Sequence, residues 1–292
     1  MDSQLEVFVT VAELENFSRA AERLHMTQPA VSQYIKVLEK SMDARLFDRS
    51  NKYVRLTQAG KIVYHHAKEI IGLYTSMHAL IDDLTNKASG TISIGASYTY
   101  GEYVLPEVLK RLKEEALEIT PSVTIGNTKE ICKLISDYRL DIGIVEGEVK
   151  DENITVEPFE TDELYVVSSP ELLTLREGNF SPEELEGKTW IVREEGSGTR
   201  RISEKFFSSV GIRPVSRLEF GSTQLIKEAV EAGLGITLLS RWTFKKEVKA
   251  GDLAIVNVEG LPVQRKFSLI SRSLFRSKAL EIFVEKVKRS EK

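Results

Sequence analysis

The most constraining stretch of the sequence is 27–40, where apolar and polar residues divide between two sides of one predicted helix. Thr27 can cap this helix, and Pro29 fits its first turn, where the missing proline N–H is not needed. The apolar side consists of Val31, Tyr34, Ile35 and Leu38. The polar side consists of Gln28, Ser32, Gln33, Lys36 and Lys40. A helix that only covers a core needs the first side alone, so the second side indicates a binding partner.

Two shorter helices are predicted before this one. Apolar residues at helical spacing predict a first helix over about 5–14, and Ser18 can cap a second one that runs to Leu24 before a tight turn at 25–26. A short helix, a tight turn and a helix with a polar side are typical of a helix-turn-helix, whose second helix enters the major groove of DNA. Amide and hydroxyl groups would bond base edges there, and lysines would reach phosphates. The alternative is an ordinary three-helix bundle with one solvated side.

A β-hairpin with a basic tip is predicted over 46–56, because strand-like residues flank the turn-forming residues 50–52. Its candidate contacts to phosphates or to a minor groove are Arg49, Lys52 and Arg55. The charge distribution agrees with a role at DNA. The whole chain has a net charge of −4, but residues 18–61 contain nine basic and four acidic residues. A basic module on an acidic body is expected of a protein that meets phosphate at one end.

A long helix with an apolar seam is predicted from Gln58 to about Lys87, a stretch without proline. Residues of the seam recur every seven positions, with a second series three positions behind, and they are Val63, His66, Ile70, Leu73, Met77, Leu80 and Leu84. Such a seam favours pairing with another helix, and the rod would span roughly 45 Å. Packing against its own domain is the alternative. The polar stretch 85–90, which ends in glycine, is the best domain boundary.

After this boundary, strand-like and helix-like segments alternate, which predicts an α/β sheet. The predicted strands are 91–95, 123–125, 141–145, 190–192, 235–239 and 267–270. Ligands of such sheets lie at the C-terminal ends of the strands. A binding site is therefore expected at that edge.

No catalytic or metal-binding constellation is found in the α/β region of the sequence. All four histidines, at 25, 65, 66 and 78, precede it, which removes the commonest general base and metal ligand. The single cysteine, Cys132, lies among apolar residues and is predicted to belong to the core. We therefore expect no enzyme activity, no cofactor and no metal site.

The sequence also predicts a cytoplasmic protein that is not embedded in a membrane. One cysteine excludes an internal disulfide and fits a reducing compartment. The first residues lack the pattern of a secretion signal, and no apolar run approaches the roughly 18 residues of a spanning helix.

Three ordered motifs resemble those of the LysR-type transcriptional regulators. The run NFSRAAERL at 16–24 resembles their second helix, and TQPAVS at 27–32 resembles the start of their recognition helix. The run LFDR at 46–49, followed by LTQAG at 56–60, is similar to their wing and linker entry. The candidate DNA-binding residues are Thr27, Gln28, Pro29, Ser32, Gln33, Lys36, Arg49, Lys52 and Arg55. Many relatives carry arginine where this chain has Gln33, and glutamine suits adenine better than guanine, so base preferences cannot be transferred.

The resemblance implies a winged helix-turn-helix over 1–57, a dimerising linker helix over 58–89 and an effector-binding domain over 90–292. A homodimer, or a tetramer, would bind double-stranded DNA and respond to a small molecule. The alternative is a small-molecule receptor or enzyme of the periplasmic-binding-protein type with an accessory helical domain.

The implied effector-binding domain has two lobes and is similar to type 2 periplasmic binding proteins, with the effector in the cleft. Lobe one would cover about 91–163 plus 269–292, and lobe two about 164–268. The candidate effector-binding residues, most of them at predicted helix starts, are Ser97, Thr99, Glu146, Ser197, Thr199 and Thr223. Free N–H groups at such starts favour anions, although each start alone could be only a cap. The resemblance suggests a carboxylate or a small oxyanion such as sulfate or sulfite.

Acidic residues near the expected cleft complicate an anionic ligand. Glu146, Glu194 and Glu195 would repel a dianion if they were unpaired. Arg193 or Arg200 could neutralise them.

Overall fold

The computed structural model of the chain contains two units, Met1–Asn86 and Lys87–Lys292. The structure describes residues 3–49, 53–85, 89–172, 180–272 and 276–289. Within these ranges, the side chains of Arg49, Ser76, Ala79 and residues 82–85 lie outside the description.

In its described residues, the first unit consists of four helices and one hairpin. Its elements are α1 (Ser3–Leu14), α2 (Phe17–Arg23), α3 (Gln28–Ser41), β1 (Phe47–Arg49), β2 (Val54–Leu56) and α4 (Gln58–Thr85). The two strands are antiparallel, with Phe47 opposite Leu56 and Arg49 opposite Val54. The predicted winged helix-turn-helix is confirmed, although the predicted tip residue Lys52 lies outside the described residues.

The ends of α2 and α3 follow from local hydrogen bonds. The Thr27 side chain accepts the N–H of Ala30 at 3.4 Å and caps α3, as the sequence predicts. The cap of α2 is Asn16, whose Oδ1 accepts the N–H of Arg19 at 3.0 Å. The prediction of Ser18 as this cap was wrong, because Asn16 is an equally good capping residue and lies two residues earlier. His25 adopts a positive φ of 54° in the tight turn.

One core holds the helices and the hairpin of the first unit together. Phe8 and Phe47 are buried there with their ring centroids 5.3 Å apart, which ties α1 to the hairpin. Val31 and Ile35 bring α3 into the same core. Ala67 adds the first half of α4. The apolar side of α3 is thereby buried, and its polar side faces outward.

Helix α4 divides the predicted seam into two parts. Val63 packs against the core of the first unit. This part of the seam therefore packs within its own domain, which the sequence left open as the alternative to pairing with another helix. Further along, an exposed stripe runs along the helix, and its residues are Ile70, Leu73, Met77 and Ile81. Leu73 is 55% exposed, which is unusual for a large apolar side chain on a helix. The predicted seam residue Leu84 lies outside the described side chains.

The second unit alternates strands and helices, which confirms the predicted α/β class. Its strands are β3 (Gly90–Ser97), β4 (Ile119–Gly126), β5 (Ile142–Glu146), β6 (Thr155–Ser168), β7 (Thr189–Arg193), β8 (Ser216–Phe220), β9 (Thr237–Ser240), β10 (Ala254–Ile255) and β11 (Val263–Ser271). Its helices are α5 (Tyr98–Tyr103), α6 (Leu105–Glu115), α7 (Thr128–Ser136), α8 (Pro182–Glu186), α9 (Gly198–Val210), α10 (Thr223–Glu231), α11 (Arg241–Ala250) and α12 (Lys278–Lys288).

Two long antiparallel strands, β6 and β11, belong to both lobes of this unit. In lobe one the strand order is β4-β3-β5-β11-β6, and β3 pairs in parallel with both β4 and β5. In lobe two, β9 and β10 pair with the later part of β6, while β7 pairs in parallel with β8. The lobes have separate apolar cores. Phe267 already packs in the core of lobe one, just ahead of the expected boundary at 268/269.

Within the parts of the chain that the structure describes, no helix is both long and apolar enough to cross a membrane.

Candidate functional site

The polar side of α3 is presented to solvent. Gln28, Gln33 and Lys36 are exposed, and Ser32 is half-buried. The Gln28 side-chain amide donates to Ser32 Oγ at 3.0 Å, so two of the candidate base-contacting groups already lie together on one turn. The fold thus displays amide, hydroxyl and ammonium groups along one helix, a set that suits base edges and phosphates.

The hairpin of the same unit presents a further basic group. Arg55 on β2 is exposed, and its guanidinium lies 5.2 Å from the centre of the Tyr53 ring. Asp48 is its cross-strand neighbour on β1. The side chain of Arg49 and all of Lys52 lie outside the described residues, so their candidate contacts stay predictions.

In the second unit, every candidate effector-binding residue is buried, and these residues are Ser97, Thr99, Glu146, Ser197, Thr199 and Thr223. The structure brings Thr99, Glu146 and Thr199 together where the lobes meet. Ser197 instead caps α9. Thr223 contacts a different group, Arg193.

A buried arginine lies between Thr99 and Thr199. Arg265 donates from Nη2 to Thr99 Oγ1 at 3.2 Å and from Nη1 to Thr199 Oγ1 at 2.9 Å. Its Nε donates to Asp162 Oδ2 at 2.7 Å. The Arg265 side chain is only 1% exposed. One guanidinium therefore joins lobe one, lobe two and the shared strand β6.

Two carboxylates share this guanidinium. Besides Asp162, Glu146 approaches Arg265, with Oε1 3.4 Å from Nη1. Ser240 Oγ donates to the remaining oxygen of Asp162 at 2.6 Å. We refer to Arg265, Asp162, Glu146, Thr99, Thr199 and Ser240 as the Arg265 cluster. With one cation and two acids, its ionised form carries an excess negative charge.

Glu146 lies directly against the start of α9. A Cβ on Gly198, the first residue of α9, would be 2.4 Å from the Glu146 carbonyl oxygen and 2.6 Å from its Cγ. Only glycine permits this approach of the two lobes. The positive end of a helix dipole favours a carboxylate. The chain thus supplies its own acid at a helix start where the sequence analysis expects an external anion.

A second buried arginine neutralises Glu194, one of the acidic residues near the expected cleft. Arg193 forms a bidentate pair with Glu194, with Nε–Oε2 and Nη2–Oε1 distances of 2.7 and 2.9 Å. Its remaining nitrogen donates to Thr223 Oγ1 at 3.1 Å. Arg200 does not serve this purpose, because its side chain pairs with Glu204.

Further contacts hold the lobes together beyond the Arg265 cluster. The N–H of Lys129 in lobe one donates to the carbonyl of Gly196 in lobe two at 3.2 Å. Asn127 Nδ2 donates to Glu194 Oε1 at 3.2 Å. The described arrangement of the lobes is therefore a closed one.

The sequence analysis missed Arg265, Asp162 and Ser240. Arg265 alternates along β11 with the apolar residues Val263, which is half-buried, and Phe267, which is fully buried. A charge at an inward position of a strand must be paired, because an isolated buried charge is very costly. That interruption is the signal that could have identified the arginine.

Other reactive groups do not form a catalytic arrangement in the described residues. Burial raises the pKa of the Cys132 thiol to about 11, so the thiol is neutral and a poor nucleophile. No group of three or more histidine, cysteine, aspartate or glutamate side chains in the described part of the chain could hold a metal ion.

Comparison with family models matches both units. The model described as "Bacterial regulatory helix-turn-helix protein, lysR family" matches residues 3–61. The model described as "LysR substrate binding domain" matches residues 85–291. Among curated proteins, the HTH-type transcriptional regulator CysL of Bacillus subtilis is 35% identical over 285 residues, which cover 97% of this chain and 95% of CysL.

Solved structures share the fold. The full-length CbnR complexed with its target DNA matches with a TM-score of 0.71 and 21% identity, over 100% of both chains. The Synechocystis CcmR regulatory domain in complex with 2-PG matches with a TM-score of 0.64 and 24% identity, over 68% of this chain and 96% of that one. At such identities the likeness concerns the fold alone.

Removing the guanidinium of the Arg265 cluster should destabilise the second unit strongly. Arg265→Met leaves Asp162 buried and unpaired, which should cost about 3–5 kcal/mol of unfolding free energy. Adding Asp162→Asn to that variant should restore about 1 kcal/mol or more, because the unpaired charge disappears. Urea unfolding followed by tryptophan fluorescence measures this, since both tryptophans, Trp190 and Trp242, lie in the second unit. A double variant no more stable than Arg265→Met would contradict the pairing.

Proposed function

This chain belongs to the LysR family of bacterial transcriptional regulators, and from that premise we propose that it binds a specific DNA sequence through α3 and is controlled by a small anion bound between its lobes. The observation that carries the proposal is the Arg265 cluster. It makes the relation of the two lobes depend on a few buried polar contacts, which a ligand can rearrange. We further propose that the functional parts are the winged domain 1–57, the linker helix 58–89 and the effector-binding domain 90–292.

The DNA contacts are assigned to the polar side of α3 and to the hairpin of β1 and β2. Ser32 and Gln33 on α3 would contact base edges, supported by Gln28, while Lys36 and Arg55 would contact phosphates. The helix start at Thr27 and Pro29 fixes the position of these groups, and Arg49 and Lys52 would extend the phosphate contacts. The fold shared with CbnR, which was solved with its target DNA, supports this assignment.

The effector is assigned to the cleft, where hydroxyl groups and a guanidinium converge. Ser97, Thr99 and Thr199 offer hydroxyls there, and Arg265 offers the charge that an anion requires. Ser197 and Thr223 lie at neighbouring helix starts of lobe two. A carboxylate or a small oxyanion fits these groups, and the 2-PG complex of CcmR supports an anionic ligand in this fold.

Control of DNA binding follows from the difference between two lobe arrangements. A ligand that bridges Thr99 and Thr199 binds one arrangement better than the other and shifts the equilibrium towards it. The resulting coupling works in both directions, so DNA would also change the affinity for the effector.

Dimerisation is assigned to the exposed stripe on α4. Ile70, Leu73 and Met77 have the three-and-four spacing of a two-helix coiled coil, and pairing would remove these half-exposed apolar side chains from water. A two-fold dimer presents two copies of α3, which suits an imperfect inverted repeat in DNA.

We also propose that the protein acts in the cytoplasm and is not an enzyme. The histidines lie outside the second unit, and the only cysteine is a neutral, partly buried thiol. A regulator of transcription has its DNA target in the bacterial cytoplasm.

The base contacts can be tested on a duplex that the protein selects from random sequences. Ser32→Ala and Gln33→Ala should each lose about 1–3 kcal/mol of binding free energy on that duplex and little on random DNA. Arg55→Ala, the matched control, should weaken binding to both duplexes and lower the salt dependence by about one counterion. Fluorescence anisotropy at several salt concentrations measures both effects. Equal losses on the two duplexes for the α3 variants would refute base contact by these residues.

The exposed stripe can be tested by placing a charge in it. Leu73→Asp should convert the dimer to a smaller species, because a carboxylate cannot be hydrated within a paired seam. Thr75→Asp introduces the same charge on the other side of α4 and should leave the mass unchanged. Light scattering measures the mass of each variant. If Leu73→Asp keeps the parent's mass, other surfaces hold the oligomer together.

The anion site can be tested with a substitution that costs the free protein little. Ser97 Oγ has no hydrogen-bond partner among the described residues, so Ser97→Ala should not lower the melting temperature. It should weaken binding of an anion by about 1–3 kcal/mol, since one donor is lost. Ser169→Ala removes another buried serine hydroxyl without a described partner and should leave binding unchanged. Calorimetry with phosphate, sulfate, sulfite and acetate measures the affinities, and unchanged affinity in Ser97→Ala would move the site elsewhere.

A further inference from the structure

Two buried polar atoms beside the cleft have complementary hydrogen-bonding abilities. Glu146 Oε2 and Ser97 Oγ are both buried, and neither has a partner among the described residues. They lie at the C-terminal ends of β5 and β3, two strands that pair with each other. A carboxylate oxygen can only accept a hydrogen bond, whereas a hydroxyl can donate one. Unpaired buried groups are costly, so a partner for both would stabilise this arrangement.

The balance of charge around Glu146 disfavours binding of a second negative group beside it. Arg265 is the cation that contacts Glu146, and it also donates to Asp162 at a shorter distance, 2.7 Å against 3.4 Å. The hydroxyl of Thr99 lies 3.5 Å from Glu146 Oε1. Gly198 lies against the carbonyl oxygen and Cγ of Glu146. A fully deprotonated anion placed here would meet Glu146 Oε2 oxygen to oxygen, with no proton between them.

We propose that Glu146 selects the effector according to whether the effector's acid group carries a proton. The cleft accepts an acid group that still carries a proton, and it rejects an anion of the same shape that has none. This rests on the anion site assigned above. The ligand's O–H donates to Glu146 Oε2, and its other oxygens accept from Ser97 Oγ and the guanidinium of Arg265. A protonated oxyanion group that reaches both atoms would give each of them a partner. A site built to bond a ligand's O–H discriminates strongly against an analogue that lacks it.

Two matched pairs of simple anions test this at neutral pH. Phosphate keeps a proton and sulfate does not, although both are tetrahedral. Hydrogencarbonate and nitrate are both planar ions with one negative charge, and only hydrogencarbonate has an O–H. Calorimetry on the full-length protein should show a preference of about tenfold or more for the protonated member of whichever pair binds.

The side chain responsible is tested by Glu146→Gln, which removes the charge and adds a donor. The preference should fall to about threefold or less, chiefly because the unprotonated anion gains affinity. Glu148→Gln removes an equal charge nearby, from an exposed side chain that pairs with Lys205, and should keep the parent's preference. Thermal unfolding should show that Glu146→Gln is at least as stable as the parent, because a buried unpaired oxygen is replaced by an uncharged amide. If that variant fails to fold, the preference of the parent within each pair still decides.

The affinities of the parent and of Glu146→Gln distinguish failure of the selection by Glu146 from failure of the anion site. Equal affinity of the parent for both members of a pair, or a preference unchanged in Glu146→Gln, overturns the proposal. The anion site itself then stands if Ser97→Ala still weakens binding. If none of these four anions, nor sulfite or acetate, binds the parent or Glu146→Gln, the assigned anion site is wrong and the selection by Glu146 falls with it.

Discussion

The arrangement of the two lobes in the second unit depends on the groups that share the guanidinium of Arg265. Arg265 lies on a strand common to both lobes and contacts Thr99 in one, Thr199 in the other and Asp162 on the second shared strand. A buried cation has a high desolvation cost, which only several good contacts can offset. Closing the lobes supplies those contacts, and opening them removes at least one. Polar contacts of Arg265 therefore contribute to holding the two lobes in the closed arrangement.

The first unit relies on a different principle. Its core is apolar and continuous from α1 through the hairpin to α4, and nothing in it needs a ligand. The polar side of α3 rests on that core, so its amide and hydroxyl groups are held in place before any partner arrives. Pre-positioned groups lose less conformational entropy on binding.

The sequence predicted the first unit well because its determinants are local. The two sides of α3, the cap at Thr27 and the hairpin over 46–56 each depend on residues close together in the chain. The error at the start of α2 arose from two good capping residues within one turn. In the second unit, the alternation of strands and helices predicted the class and brought Thr99, Glu146 and Thr199 into the candidate set.

Arg265 could not be placed from the sequence in the same way. Its partners come from strands and helices far apart in the chain, so the strand pattern could mark Arg265 as an inward charge but could not identify the groups that pair with it. The pairing of β6 with β11, which sets Asp162 opposite Arg265, is a matter of register between distant segments. The same is true of Gly198, whose need for glycine is visible only once Glu146 lies against it.

Helix α4 has a geometric consequence of its own. It is 28 residues long, and Ala67 is buried in the core of the first unit while Leu73 is half-exposed six residues further on. Each residue of an α-helix turns the chain by about 100°. The angle between the DNA-contacting side of the domain and the stripe is thus fixed by the number of residues that separate Ala67 from Leu73. In the proposed dimer the helix would set the phase of the two recognition surfaces around the DNA axis, and one inserted residue there would rotate them out of step.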